Sequence, residues 1–535
     1  MPADCISFRE TGFFSGLICD YLDEKKELKK FYNRFPKIEN FKEQIEEKKQ
    51  SFPEKNREAL FNALSGQYKN IEASETVSGN IQLLKNQNTF TVITGHQLNL
   101  FTGPLYFLYK IISAINLTHQ LKNKYRDYHF VPVYWMATED HDFEEINHFN
   151  FHGKKFSWNK DVAGAVGELS TQGLEEVFKL FELELGNGIN AEELKKLFKE
   201  AYLNHENLTD ATRYMVNKLF GEHGLVIVDG NDKLLKKIFV PYIVDELDNK
   251  TSYHNVSNTI KELNNLKEEN YAIQVNPREI NLFYLKQGLR ERIIEVEADV
   301  YTVNETDIKW NKQELLDEVK NFPERFSPNV MMRPLYQEVI LPNLCYIGGG
   351  GELAYWFELK EYFNKVNITF PILLLRNSAL IISRKQDEKL KKLNISYSRL
   401  FLKQDEFINR KVREISNIDI DFTPQKLHLN NQFEALYKLA KQTDKSFIGA
   451  VQAQEKKQIK GLENLEKRLL KAQKRKLGDE VSRMSEIKNE LFPNESLQER
   501  YNNFSEVYLE YGNNLISELI KSLTPLNNCF TILVI

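Results

Sequence analysis

The chain has 535 residues, too many for one hydrophobic core of ordinary size, which predicts roughly two to four domains or subdomains. Its 72 basic and 76 acidic residues nearly cancel to a formal charge of −4, a balance that gives no argument for a nucleic-acid or membrane partner. Hydrophobic residues at 41%, with 35 Phe and 24 Tyr, exclude a disordered chain.

Residues 1–88 read as helical, since YLDEKKELKKFYNRFP and FKEQIEEKKQSFPEKNREALFNAL carry apolar residues at helical spacing among charges. The opening MPADCISFRETGFF has no basic stretch followed by an apolar one, so no signal peptide is expected. At Phe90 the texture changes. FTVITG is a strand by composition, and PLYFLYKIISAINLTHQLKNKY is a long helix opened by Pro104. HFVPVYWMA is again a strand. Strand, helix, strand at this spacing is a βαβ unit and implies a parallel sheet.

The texture returns in GLVIVDG, in NLCYIGGGGELAYWFELKEYF and in PILLLRN. The pieces predict an α/β fold: a doubly wound parallel core of about five strands. Its first half spans 89–150, a strand and helix 221–250, and its second half 326–390. Two polar, mostly helical insertions interrupt it at 151–220 and 251–325. Residues 391–535 form a C-terminal helical domain. There Leu462, Leu465, Leu469 and Ala472 make a coiled-coil seam, with an irregular patch near Leu477 and a stop at Pro493. A narrow seam on a long helix predicts a homodimer. The alternative is an intramolecular hairpin with LQERYNNFSEVYLEYGNNLISELIKSL folded back as partner. The four cysteines, Cys5, Cys19, Cys345 and Cys529, form no CxxC pair and read as reduced thiols in a cytoplasmic protein, Cys345 as a buried small hydrophobe. No apolar run approaches the ~20 residues of a membrane helix.

Three segments carry the candidate chemistry. TGHQLNLFTGP leaves a strand and enters a helix, where a doubly wound sheet places ligands. Thr94, His96, Gln97, Asn99 and Thr102 offer hydrogen bonds, Gly95 and Gly103 close backbone approach, and Tyr106 follows; the bland reading is a capped polar turn. TEDHDFEEINH packs five carboxylates and two histidines into eleven residues at a strand's carboxyl end. Glu139, Asp140, His141 and Asp142 form a candidate acid–base cluster around an amine nucleophile. A divalent metal site and a solvated acidic loop are the rivals; no second ligand cluster at recognisable spacing accompanies it, and no metal is assigned. Gly348, Gly349, Gly350 and Gly351, before Glu352, form a turn suited to cradling a nucleotide or another anion, or a tight turn with no ligand. Asn329 and Arg333, and Arg376 after ILLL, are candidate grips for a substrate carboxylate; a structural ion pair is the other reading of each arginine.

Together, TGHQLNLFTGPLYFLYKIISAINL, VPVYWMATEDHDFEEINH, SPNVMMRPLYQEVILPNLCYIGGGGELAYW and LFPNESLQER resemble, in that order, the signature stretches of the BshC family of bacillithiol synthesis. The resemblance spans nearly the whole chain. Two local departures are visible: the family often reads TGQQ where this chain has Thr94-Gly95-His96-Gln97, and GGPGE at the glycine turn. The resemblance implies a Rossmann-like core, two connecting-peptide insertions and a dimerising C-terminal coiled coil. It further implies a cysteine ligase that joins L-cysteine to the amine of glucosaminyl-malate. No tightly bound cofactor is expected, with ATP as the candidate activating cosubstrate. A nucleotidyltransferase or adenylate-forming enzyme acting on another acid is the rival reading, and a coiled-coil scaffold is the non-enzymatic one.

Overall fold

The structure, a computed structural model, describes residues 2–266 and 271–535. Five strands, β1 (Thr89–His96), β2 (His129–Met136), β3 (Val226–Asp229), β4 (Asn343–Gly348) and β5 (Ile372–Leu375), form an all-parallel sheet in the order β5-β4-β1-β2-β3. Helices cover both faces, so the strands are buried on both sides and read as nearly unbroken apolar runs. One side of the core joins Phe90, Val92, Leu344, Ile347, Ile372 and Leu374 to Ala114, Leu117 and Leu121 of helix α1 (Tyr106–Lys124) and to Phe41 and Ile45 of the helix Phe41–Ser51. Cys345 is fully buried within this cluster, and burial pushes its thiol pKa well up. The strand order reverses between β1 and β4, and a crevice at such a reversal is the ligand side of a doubly wound sheet.

The insertions differ from one another. After the hairpin His148–Phe151 and Lys154–Ser157, the first is carried by the helices Leu174–Leu185, Ile189–Phe198 and Leu208–Phe220. The second departs from the mostly helical expectation. After helix α2 (Thr251–Asn264) it builds a five-stranded antiparallel sheet ordered Lys309–Asn311, Val300–Val303, Leu289–Glu297, Leu282–Lys286, Phe326–Pro328. The two-residue turn Gln287-Gly288, with Gly288 at φ 68°, closes its central hairpin. In LRERIIEVE, Arg290 and Arg292 sit at alternate positions and line a polar cavity, so the apolar face that would reveal the strand period is missing there.

The chain divides into two compact units, Met1–Ile381 with Gln498–Val534, and Ile382–Leu497 with the final residue. Within the first, Cys529–Val534 pairs antiparallel with Pro2–Ser7, so the amino-terminal stretch opens with a strand. This pairing corrects the expectation of four reduced thiols: Cys5 and Cys529, 524 residues apart, are disulfide-bonded, while Cys19 and Cys345 are free and buried. Sequence spacing could not show it, because the register of the two terminal strands makes the cysteines neighbours.

The second unit is helical. α4 (Thr423–Ala440) packs against α5 (Lys445–Lys476), and the helix breaks at Leu477 as the interrupted seam predicts. α5 finds its hairpin partner in α4, and not in residues 498–522, which belong to the first unit as three short helices. Of the predicted seam, Leu462, Leu469 and Ala472 are half-buried and Leu465 is 52% exposed, while the buried leucine of this stretch is Leu470, outside the seam; Leu427, Leu436 and Leu439 are exposed at 40–60%. Among the described residues no helix is long and apolar enough to cross a membrane.

Candidate active site

A cavity of about 700 Å³ opens at the carboxyl ends of β1, β2 and β4, roofed by the antiparallel sheet of the second insertion. It brings together, from separate parts of the sequence, Gly95, His96, Gln97 and Tyr106, the cluster Glu139–Asp142, and Asn329, Arg333 and Glu352. The TGHQ loop and the acidic cluster touch directly: Gln97 Nε2 donates to Asp140 Oδ2 at 2.9 Å and to Glu145 Oε2 at 3.0 Å.

The floor is a buried charge network. Lys110, from α1, donates to Glu352 Oε1 at 2.6 Å and to the carbonyl of Gly95, and Tyr346 donates to Glu352 Oε2 at 2.7 Å. Burial opposes charge on both partners. It lowers the Lys110 pKa, yet the ammonium keeps the Glu352 carboxyl below its usual range, so the pair stays ionised. Glycine at 348 is required here, because a Cβ would stand 2.9 Å from the Tyr346 ring and 3.0 Å from Glu352 Cβ. Arg333 donates to Gln337 Oε1 and Tyr355 Oη and makes no ion pair among the described residues, so its charge faces the cavity uncommitted. His96, at the end of β1, lies between Tyr106, stacked at 5.4 Å, and Phe107 at 5.1 Å. Burial and then Lys110 push its pKa down to about 3.

The rim is more open. Burial works against the Asp140 anion, but hydrogen bonds from His141 and Gln97 outweigh it and hold the carboxyl well below its usual range. Asp142 shifts the other way, raised by burial and by Asp140. His141, 46% exposed, has Asp140 Oδ1 at 3.6 Å from Nδ1 and Asp142 Oδ1 at 3.8 Å from Nε2. Its close partner is not a carboxylate but Arg290, whose guanidinium donates to Nδ1 and stacks 4.0 Å over Phe283. Glu139 forms an ion pair with Lys236, which is fully buried and also donates to the carbonyl of Phe326 at 2.6 Å. Asp140, His141 and Asp142 bring one ligand atom each within 4.8 Å of one another. The Arg290 guanidinium already supplies a cation to that imidazole, which opposes placing a second there.

The remaining candidates support the cavity from outside its lining. Thr94 donates to the carbonyl of Ile347, tying β1 to β4. Asn99 donates to the carbonyl of Glu145, and Asn503 bonds the carbonyls of Phe101 and Gly103. Phe101 and Thr102 are left-handed at φ 49° and 68°; Gly103 at φ 62° has Asn99 Cβ 2.7 Å from where its own Cβ would be. Gly349, Gly350 and Gly351 open helix α3 (Gly350–Phe357), packed beside Arg376, Ile18 and Gln274 respectively. Arg376 is committed to Glu499 at 2.8 Å, with both side chains buried, so its structural reading prevails.

Sequence reasoning missed Lys110, Arg278, Arg290, Arg292, Tyr346 and Tyr355, all of which line the cavity. Lys110 had a signal, as the single charge in PLYFLYKIISAINL. Arg290 and Arg292 had the two-residue period of a strand, which puts both on one face.

Two family models cover the chain: the N-terminal Rossmann-like domain of bacillithiol biosynthesis BshC matches residues 1–377, and its C-terminal coiled-coil domain matches 379–535. The chain belongs to the BshC family. Relatives named "Putative cysteine ligase BshC" include one from Christiangramia forsetii, 62% identical over 100% of this chain and 99% of the relative. Another from Flavobacterium johnsoniae is 59% identical over all of both chains, and one from Cytophaga hutchinsonii is 37% identical over 97% and 96%. In this BshC chain the family's Rossmann-like domain is the five-stranded sheet, and its cavity lies at the reversal of strand order.

Proposed function

We propose that this chain is a cysteine ligase of bacillithiol biosynthesis, forming the amide between the carboxyl of L-cysteine and the glucosamine nitrogen of glucosaminyl-malate. The observation that carries the reading is the full-length match to relatives named for that activity, with both family domains present. The cavity is consistent with it. Five basic and five acidic side chains line about 700 Å³, a mixed-charge space suited to a zwitterionic amino acid and a dianionic sugar conjugate.

A free carboxylate does not acylate an amine in water at useful rates, so ATP is proposed as the activating cosubstrate. The acceptor amine must lose a proton to attack, and His141 is the proposed base. With Arg290 donating to Nδ1, that nitrogen is occupied and Nε2 carries the ring proton. Use of Nδ1 as base requires Arg290 to turn away, and a carboxylate of the incoming malate moiety is the group that would draw it. Arg333 and the Lys110 network stand ready for developing negative charge.

The exposed leucines of α4 and α5 support a homodimer through the coiled coil. A cytoplasmic location is proposed from the small-molecule thiol chemistry; in that reducing compartment Cys5 and Cys529 would be an oxidisable pair. The test is purified protein with cysteine and glucosaminyl-malate, with and without ATP, read by mass spectrometry. Bacillithiol formed only with ATP supports both parts of the reading. Formation without ATP removes the cosubstrate. No product from folded protein in either arm, together with unchanged bacillithiol pools in cells lacking the protein, overturns the function.

A further inference from the structure

Among the described residues lining the cavity, two buried side-chain atoms have no hydrogen-bond partner: a donor, Arg290 Nε, and an acceptor, His96 Nε2. The acceptor is chemically determined. His96 Nδ1 lies 3.0 Å from the carbonyl oxygen of Gln97, and a carbonyl only accepts, so Nδ1 carries the proton and Nε2 is a bare lone pair. Stacking on Tyr106 and the edge contact with Phe107 hold the ring in place. A buried acceptor left unmade is costly, and at the wall of a cavity a bound ligand is a group that can satisfy it.

The surroundings select the donor. A carboxylate or phosphate has no proton to give and is repelled by the lone pair. An ammonium would meet Lys110 and Arg376, the two cations that already oppose charge on the ring, while Glu352 is engaged by Lys110 and Tyr346. A thiol is a weak donor. What remains is a neutral O–H or N–H donor, and in an acceptor whose amine arrives protonated that donor is a sugar hydroxyl. We propose that His96 is a specificity-determining residue whose Nε2 accepts a hydrogen bond from a sugar hydroxyl of the acceptor substrate, placing the glucosamine ring at the Tyr106 end of the cavity. This rests on the functional reading that the cavity takes glucosaminyl-malate. His96 acts as a fixed neutral acceptor and not as a base, so its contribution is constant from about pH 6 to about pH 8.5.

The experiment is isothermal titration calorimetry of full-length protein with glucosaminyl-malate and with each of its mono-deoxy sugar derivatives. His96→Phe and His96→Leu remove the acceptor, and melting temperature shows which variant retains the native fold; His96→Gln retains an amide oxygen. Expected results are a Kd raised about tenfold in the Phe or Leu variant and recovery to within about threefold in the Gln variant. One mono-deoxy derivative should lose the same factor on wild type and bind the Phe or Leu variant as well as the parent compound does. Wild type that binds every deoxy derivative as tightly as the parent overturns the inference without any variant. So does a variant loss that persists undiminished across the whole deoxy series, which marks a structural role. Wild type that binds no glucosaminyl-malate overturns the functional reading, and this inference with it.

Discussion

Lys236→Met isolates the ion pair that holds Glu139 at the cavity wall. The Lys236 side chain is 0% exposed and that of Glu139 is 12% exposed, and the ammonium also serves the carbonyl of Phe326. Methionine fills similar space, so packing is nearly retained while a buried carboxylate loses its counter-charge. Breaking such a pair from one side costs about 3–5 kcal/mol. The carboxyl has one escape, which is to take up a proton. Protonating an ordinary glutamate side chain, of reference pKa about 4.3, costs about 3.7 kcal/mol at pH 7 and sets the ceiling on this part of the loss. The ceiling falls by about 1.4 kcal/mol per pH unit as the solution is acidified, because protonation becomes easier. The variant should therefore melt several degrees below wild type at pH 7, with the gap closing toward pH 5. Lys236→Met combined with Glu139→Gln should recover much of the loss at pH 7, since only neutral groups, the amide and the Phe326 carbonyl, are then stranded. The assay is thermal unfolding followed by circular dichroism and calorimetry at about pH 5, 6 and 7. A loss below about 1 kcal/mol at pH 7, or a loss that does not vary with pH, refutes the account, because only a stranded carboxylate links the cost to protons.

His141→Asn should lower turnover about a hundredfold or more while leaving the melting temperature near wild type, and a folded variant with near-normal bacillithiol synthesis would show the residue to be structural. Leu465→Asp puts a charge on the exposed seam of α5; light scattering at micromolar concentration should give a dimer for wild type and a monomer for the variant, and identical masses would remove the seam as the interface. Burial pushes the Glu358 carboxyl up to about 7, against the backbone N–H groups of Gln274 and Val275 that favour its anion. A raised carboxyl contributes stability fully present below its ordinary pKa and lost as pH rises through about 7, so Glu358→Gln should lose less melting temperature than wild type between about pH 4.5 and 7.5; parallel curves would show that Glu358 does not titrate in that window.

Much of the core was legible because its strands are buried on both faces. Runs such as FTVITG and VPVYWM can be little else, and the helices between them dictate a parallel sheet. The antiparallel sheet of the second insertion was not legible. Its strands face a charged cavity on one side, so Arg290 and Arg292 stand where a half-buried strand would ordinarily show apolar residues or an uncharged wet face. The break in the coiled coil was visible near Leu477, but the partner of α5 was not: α4 and residues 498–522 are both amphipathic, and only packing chooses between them.

By itself the sequence determined the family, the parallel core and the two strand ends, at Gly95 and Ala137, where polar residues gather. Those follow from local composition and order, which the chain carries everywhere along its length. Tertiary structure alone decided which polar residues face the cavity. It engaged Thr94, Asn99 and Arg376 with Ile347, Glu145 and Glu499, partners 253, 46 and 123 residues away. It brought Lys110 to Glu352 across 242 residues and Arg290 to His141 across 149. A side chain's charge is written in the sequence, but whether that charge is spent on a partner or left for a ligand depends on distances that only the folded chain sets.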